Sequence, residues 1–291
     1  MEADIRPLPK FECFAPDSLD DVLTLLKEHA DGATLLAGGT DLLVWMKKAI
    51  VSPRVVVDIN KVTVLSFIEM KKDHLHIGAA TTLNSIKASQ LVQQKTPLLA
   101  EAIGLLASYP IRNRATIGGN LCSASPAADT APPLLALDAS AILEGPEGER
   151  TVAFSEFFVG PGQTVKKANE ILKEIKIPCR EGRSAFLKLG RRKGFTLSIA
   201  SAAAFGRVRE GKFENVKVAV GAVAPIPIRC GKVEDALRNC KANQQKIEKA
   251  SELVKEDVNP ITDIRASAAY RREMASLLTK RVLKRIATGE D

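Results

Sequence analysis

The 291-residue sequence is short of several kinds of residue at once: aromatics make up 4%, and there are three histidines and five cysteines. No apolar run approaches the roughly 18 residues that a membrane-spanning helix needs; the longest candidate, residues 197–205, is short and rich in Ala and Ser. So few aromatics leave little for the stacking platforms that grip single-stranded nucleic acid. No zinc finger, RNA-recognition motif or recognition helix accompanies the basic residues either, so no nucleic-acid partner is expected. Cys13, Cys122, Cys179, Cys230 and Cys240 are scattered, odd in number and free of any C-x-x-C pair. That pattern fits neither a disulfide framework nor a zinc or iron–sulfur site, and it suits thiols kept reduced. His29, His74 and His76 have no acidic or thiol partner at ligand spacing, so no protein-bound metal is expected. The start, Met1 to Pro7, carries neither the basic region nor the apolar stretch of a secretory leader, and the expected compartment is the cytoplasm.

What is present is ordinary for a globular protein of two or three domains: 45% hydrophobic and 26% charged residues, with 42 Lys+Arg against 34 Asp+Glu for a net charge of +8. A chain of this size folds to roughly 12,000 Å² of exposed surface, which leaves a substantial core. Ser18 with Asp21 forms a capping-box pattern before an amphipathic stretch, predicting a helix over 19–28. Strand patterns follow at 34–37 and 55–59, then a hairpin at 66–69 and 74–77, and a helix over 98–107 introduced by Pro97. The segment 123–131 is small-residued and offers few core packers. The stretch Pro178-Cys179-Arg180-Glu181-Gly182 reads as the main linker, and beyond it come strands at 185–189, 197–208 and 216–223. A final helix is expected from Asp263 as N-cap to about 287, with Tyr270, Met274, Leu277, Leu278, Val282 and Ile286 near one face and a solvated basic face that includes Arg271.

Two glycine pairs carry the chemical signal. Gly38-Gly39 follows a strand pattern and Thr40-Asp41 opens the next apolar segment; Gly118-Gly119 stands between Thr116 and Asn120. A glycine pair permits positive φ and lets backbone N–H groups approach an anion with no Cβ in the way. Neither pair matches G-x-G-x-x-G or the P-loop pattern. Two such turns suit a clamp on one diphosphate, and residue chemistry alone stops there.

The segments Leu36-Ala37-Gly38-Gly39-Thr40-Asp41-Leu42, Ile111-Arg112-Asn113-Arg114-Ala115-Thr116-Ile117-Gly118-Gly119-Asn120 and Ser125-Pro126-Ala127-Ala128-Asp129 closely resemble the FAD-binding medium subunit of molybdenum hydroxylases, the family of xanthine dehydrogenases and aerobic carbon monoxide dehydrogenases. Ile77 to Thr82, Lys188 to Arg192 and Asp263 to Arg272 extend the resemblance over essentially the whole chain. It implies an α+β fold: a two-part FAD-binding domain of the vanillyl-alcohol-oxidase-like type over residues 1–178, divided at about 60, and a smaller C-terminal α+β domain over 183–289 in which helices pack on an antiparallel sheet. It implies non-covalent FAD contacted by Leu36, Ala37, Gly38, Gly39, Thr40, Asp41, Thr116, Ile117, Gly118, Gly119, Asn120 and Asp129, with Leu172 and Lys188 beside the flavin ring. Lys188, taken without the family, reads as a solvated strand residue. Thr196 stands where many relatives carry Asp, and the cysteine-rich insertion of the hydroxybenzoyl-CoA reductases is missing after the second glycine pair.

The implied role is electron transfer. Molybdopterin and [2Fe-2S] clusters belong to a large and a small partner subunit, and FAD passes electrons to NAD+, a quinone or another acceptor. The alternative is a self-contained flavin-dependent oxidoreductase acting on a small substrate. It would need a general base, and no catalytic pair is evident beyond Pro178.

Overall fold

The computed structural model describes residues 7–192 and 194–289, so the first six residues, read for a leader above, lie outside it. The first sheet has three parallel strands, with Val55–Asp58 between Glu12–Phe14 and Ala33–Leu36. Val55, Val56 and Val57 are all buried, as a parallel strand covered on both faces requires. Helix Leu19–His29 connects the two outer strands, and Ser18 caps it by accepting from the Asp21 N–H at 3.1 Å. The second sheet has five antiparallel strands in the order Ile68–Lys71, His74–Gly78, Ile171–Pro178, Ser140–Gly145, Gly148–Ala153. Its central strand, Ile171–Pro178, carries a bulge between Leu172 and Glu174.

A third sheet follows: Arg183–Leu189, Ala200–Arg209, Lys212–Gly221 and Ile228–Arg229, antiparallel throughout. Strand Ala200–Arg209 runs through two cores at once. Ala200, Ala202 and Ala204 pack with Leu278, Val282 and Ile286 of the last helix, while Ala203 and Phe205 join the core that holds Leu134 and Leu135 of helix Ala131–Ala136. Alanines keep both faces thin enough for helices to approach. The hydrophobic core of the middle of the chain therefore continues into the third sheet through Phe186, Ala203, Phe205 and Ala219.

Several local expectations are corrected. Residues 123–131 do contribute to the core: Thr130 and Ala131 are fully buried, and Ala124 and Ala128 nearly so. Small size let them pack against backbone instead of leaving them outside. The last helix is Ala268–Thr288, capped by Ser267 and not by Asp263, and closed by Gly289 in the left-handed region. Asp263 instead turns back on the N–H groups of Arg265 and Ala266. Tyr270 is exposed, whereas Arg271, read as part of a solvated face, is buried. Its guanidinium donates to the carbonyls of Ile199 and Ala222 at 2.8 and 3.0 Å and pairs with Asp263 at 2.8 Å.

Candidate functional site

Strand Ala33–Leu36 ends at the first glycine pair, and the chain then enters helix Leu42–Lys47. Gly39 has φ +71°, which an L side chain rarely adopts. Gly38 is confined differently: a Cβ there would lie 2.1 Å from the carbonyl oxygen of Arg114, so the first turn is pressed onto the segment that leads into the second. The carbonyls of Leu36 and Ala37 accept from the Ile59 N–H and the Asn60 side chain, which anchors the turn to the end of the central strand. Among the described residues, the N–H groups of Gly38, Gly39, Thr40 and Asp41 find no acceptor within the chain.

The second glycine pair behaves otherwise. Gly118 and Gly119 lie inside helix Ile117–Cys122, capped by Thr116, and neither has positive φ. Their N–H groups are spent internally, Gly118 on Ala79 O at 2.8 Å and Gly119 on Thr116 Oγ1 at 3.0 Å. Glycine is needed here for close approach, because a Cβ on Gly118 would sit 2.7 Å from the Ala79 Cβ and carbonyl oxygen. What this element offers outward is the bare Cα of Gly119, the Thr116 hydroxyl and the Asn120 amide. Asn120 Oδ1 accepts from Thr130 at 2.6 Å, leaving its amide protons uncommitted among the described residues.

Between these elements lies a cavity of about 900 Å³, at the upper end of the range for small-molecule sites. Ala37, Gly38, Gly39, Thr40, Asp41, Thr116, Gly118, Gly119, Asn120, Asp129 and Leu172 line it. Leu36, Ile117 and Lys188 do not: Ile117 is fully buried in the core, Leu35 faces the cavity in place of its strand neighbour, and Lys188 lies behind Asp129. Lys188 is not solvated either. Its side chain is 5% exposed, pairs with Asp129 Oδ2 at 2.5 Å and donates to Leu105 O at 3.2 Å. Ser198 donates to the other Asp129 oxygen. Burial pushes the Asp129 carboxyl above its ordinary range while Lys188 and Ser198 pull it down. Thr196, with Phe195 and Leu197, closes the cavity from the third-sheet side.

Residues outside any recognised motif also form the wall, notably Trp45, Leu106, Cys122 and Lys166. Nothing in the local pattern around Val165-Lys166-Lys167 marks it as more than a charged turn. Among the described residues no group of three or more His, Cys, Asp or Glu is placed to hold a metal, and no helix is long and apolar enough to cross a membrane.

The geometry fits a flavin dinucleotide: apolar walls for rings and an end of unpaired N–H groups for a diphosphate. Comparison with known proteins agrees. Residues 9–180 match the model of the FAD-binding domain in molybdopterin dehydrogenase, and residues 185–286 that of the CO dehydrogenase flavoprotein C-terminal domain. The chain is 32% identical to the glyceraldehyde dehydrogenase medium chain of Sulfolobus acidocaldarius over 96% of its own length and 99% of that protein. It is 35% identical to the xanthine dehydrogenase FAD-binding subunit of Escherichia coli O157:H7, over 91% and 92%. A chain of the carbon monoxide dehydrogenase of Hydrogenophaga pseudoflava superposes with a TM-score of 0.94 at 34% identity, covering 97% of this chain and 98% of that one. The fold, the cavity and both matched domains thus place this chain in the oxidoreductase family of FAD-binding medium subunits of the xanthine and carbon monoxide dehydrogenases.

Proposed function

We propose that this chain is the electron-transfer subunit of a molybdenum hydroxylase complex, taking electrons from the [2Fe-2S] clusters of a small subunit and delivering them to NAD+, a quinone or another acceptor. The observation that carries the reading is the cavity whose polar end is built from unpaired backbone N–H groups at Gly38 to Asp41. Those groups would hold the FAD diphosphate, with Thr116 and Asn120 adding side-chain donors from the opposite wall. Leu36 and Ile117 support these walls from behind. Asp129, fixed by Lys188 and Ser198, would accept from the cofactor's polar edge, and Leu172 would pack on its rings.

FAD, when bound, supplies a centre that exchanges single electrons with clusters and two electrons with an acceptor. The chain's own residues bind it, orient it and shield it. Attachment is non-covalent: no histidine lines the cavity among the described residues, and the thiol of Cys122, which does, is pushed up to about 11 by burial, a poor nucleophile at neutral pH. We divide the chain at residues 179–182, between strands Ile171–Pro178 and Arg183–Leu189, and assign it to the cytoplasm, where its five free cysteines stay reduced.

The test is anaerobic mixing of the FAD-loaded chain with its chemically reduced [2Fe-2S] partner subunit. Bleaching of the flavin band together with reoxidation of the clusters is expected; a flavin that stays oxidised would overturn the electron-transfer role.

A further inference from the structure

Two carboxylates and one cation line the cavity among the described residues: Asp41, Asp129 and Lys166. Asp129 is neutralised by Lys188. Asp41 has only the Ser123 hydroxyl, which donates to it at 2.9 Å. Without Lys166, the charged groups that line the cavity among the described residues would leave the Asp41 carboxylate without an offsetting cation, a poor environment for a diphosphate.

Lys166 is half-buried and paired with no carboxylate among the described residues. Its ammonium donates to the carbonyls of Lys167 at 3.0 Å and Glu170 at 3.1 Å. An ammonium has three protons, so one remains uncommitted. A cation held in a largely apolar wall with no counter-charge is unfavourable unless an anion joins it.

The loop that presents Lys166 is itself fixed. Glu170, buried, receives a two-pronged bond from Arg150 at 2.7 and 2.8 Å and accepts from the Lys167 N–H at 2.7 Å, while Arg150 also donates to the Val165 carbonyl at 2.8 Å. The same two residues, Lys167 and Glu170, supply the carbonyls that hold the ammonium, so its position is set by a rigid ion pair. The chain leading into this loop is tied to the segment after the second glycine pair, where the Gly162 N–H donates to Ala124 O at 3.0 Å. Ala124 adjoins Ser123, which is bonded to Asp41 at the first glycine turn. The Lys166 loop and the first glycine turn therefore flank the same stretch of cavity wall, Cys122 and Ser123.

We propose that Lys166 is the counter-ion for the diphosphate of the bound dinucleotide, a cofactor-binding residue held in place by the Arg150–Glu170 pair. The proposal rests on the reading of the cavity as an FAD site. With Lys166 in place, the diphosphate meets a cation as well as backbone dipoles, and the Asp41 carboxylate is offset.

The experiment is a titration of the deflavinated full-length chain with FAD, followed by flavin fluorescence at low and high salt, for the wild type, Lys166→Met and Lys166→Arg. The Met variant is expected to weaken FAD binding about tenfold or more and to flatten its salt dependence. Arg is expected to restore binding to within about threefold of wild type, because it returns the charge. The thermal midpoint of the flavin-free Met variant should match the wild type. Met binding FAD as tightly as wild type, or Arg losing as much affinity as Met, would overturn the proposal. Failure of the wild type itself to take up FAD would overturn the cavity reading, a separate and recognisable result.

Discussion

A methyl group placed on Gly38 would lie 2.1 Å from the Arg114 carbonyl oxygen, whereas one on Gly119 would meet only Thr116 Oγ1, at 3.0 Å. Gly38→Ala should therefore lower the thermal midpoint of the flavin-free chain by several degrees, since backbone must move, at a cost of about 1–3 kcal/mol or more. Gly119→Val should keep the midpoint near wild type and lose flavin, because its methyls enter the cavity. Scanning calorimetry with a flavin assay separates the two outcomes. Both glycine pairs stand out in the sequence, but the backbone uses them differently. Gly39 supplies positive φ beside unpaired N–H groups, while Gly118 permits backbone contact with Ala79. Sequence spacing does not distinguish a missing Cβ that admits a ligand from one that admits the protein itself. Lys188 makes the same point. Its partner Asp129 lies 59 residues away in the chain, so no local pattern reveals that the pair is buried. Lys188→Met leaves a buried carboxylate without its counter-charge and should destabilise the chain by about 3 kcal/mol. Asp129→Asn in the same background should recover part of that loss, as a denaturation double-mutant cycle would measure.

Elements with strong periodicity or caps were readable: helix Leu19–His29 with its Ser18 cap, the central strand Val55–Asp58 and the hairpin of Arg183–Leu189 with Ala200–Arg209 all lie close to where pattern put them. The entry to the last helix was not, because Asp263 and Ser267 are both good caps and only tertiary contact selects between them. Asp263 is committed to Arg271, which ties the helix to the loops at Ile199 and Ala222. Burial alone would raise the Asp263 carboxyl, but the N–H groups of Arg265 and Ala266 and the guanidinium of Arg271 outweigh it and hold it far below the usual range. A depressed carboxylate stabilises the fold above its unfolded value of about 4 and loses that contribution as pH falls below it. Thermal midpoints recorded from pH 7 to pH 3 should thus fall more steeply for the wild type than for Asp263→Asn, whose midpoint at pH 7 should already be lower. Equal slopes would contradict this role. Arg271→Met should cost about 3 kcal/mol, since it strands two buried carbonyls.

At the scale of the molecule, one core passes from helix Pro97–Leu105 through helix Ala131–Ala136 into the third sheet, and residues of that region, Phe195 to Leu197, close a cavity founded on the first sheet. The site therefore draws on both matched domains, and neither alone encloses it. Family, fold class and cofactor were legible because the glycine motifs recur in order along the chain; the charged lining of the cavity among the described residues, Asp41, Lys166 and an Asp129 paired with Lys188, was not, because it depends on which side chains the fold brings together. The most direct test of the account is the absorption spectrum of the purified full-length chain, recorded before and after acid precipitation. The account predicts flavin bands with the protein that pass entirely into the supernatant as FAD; a chain that shows no flavin and binds none in excess FAD, or one whose flavin stays with the precipitate, would contradict it.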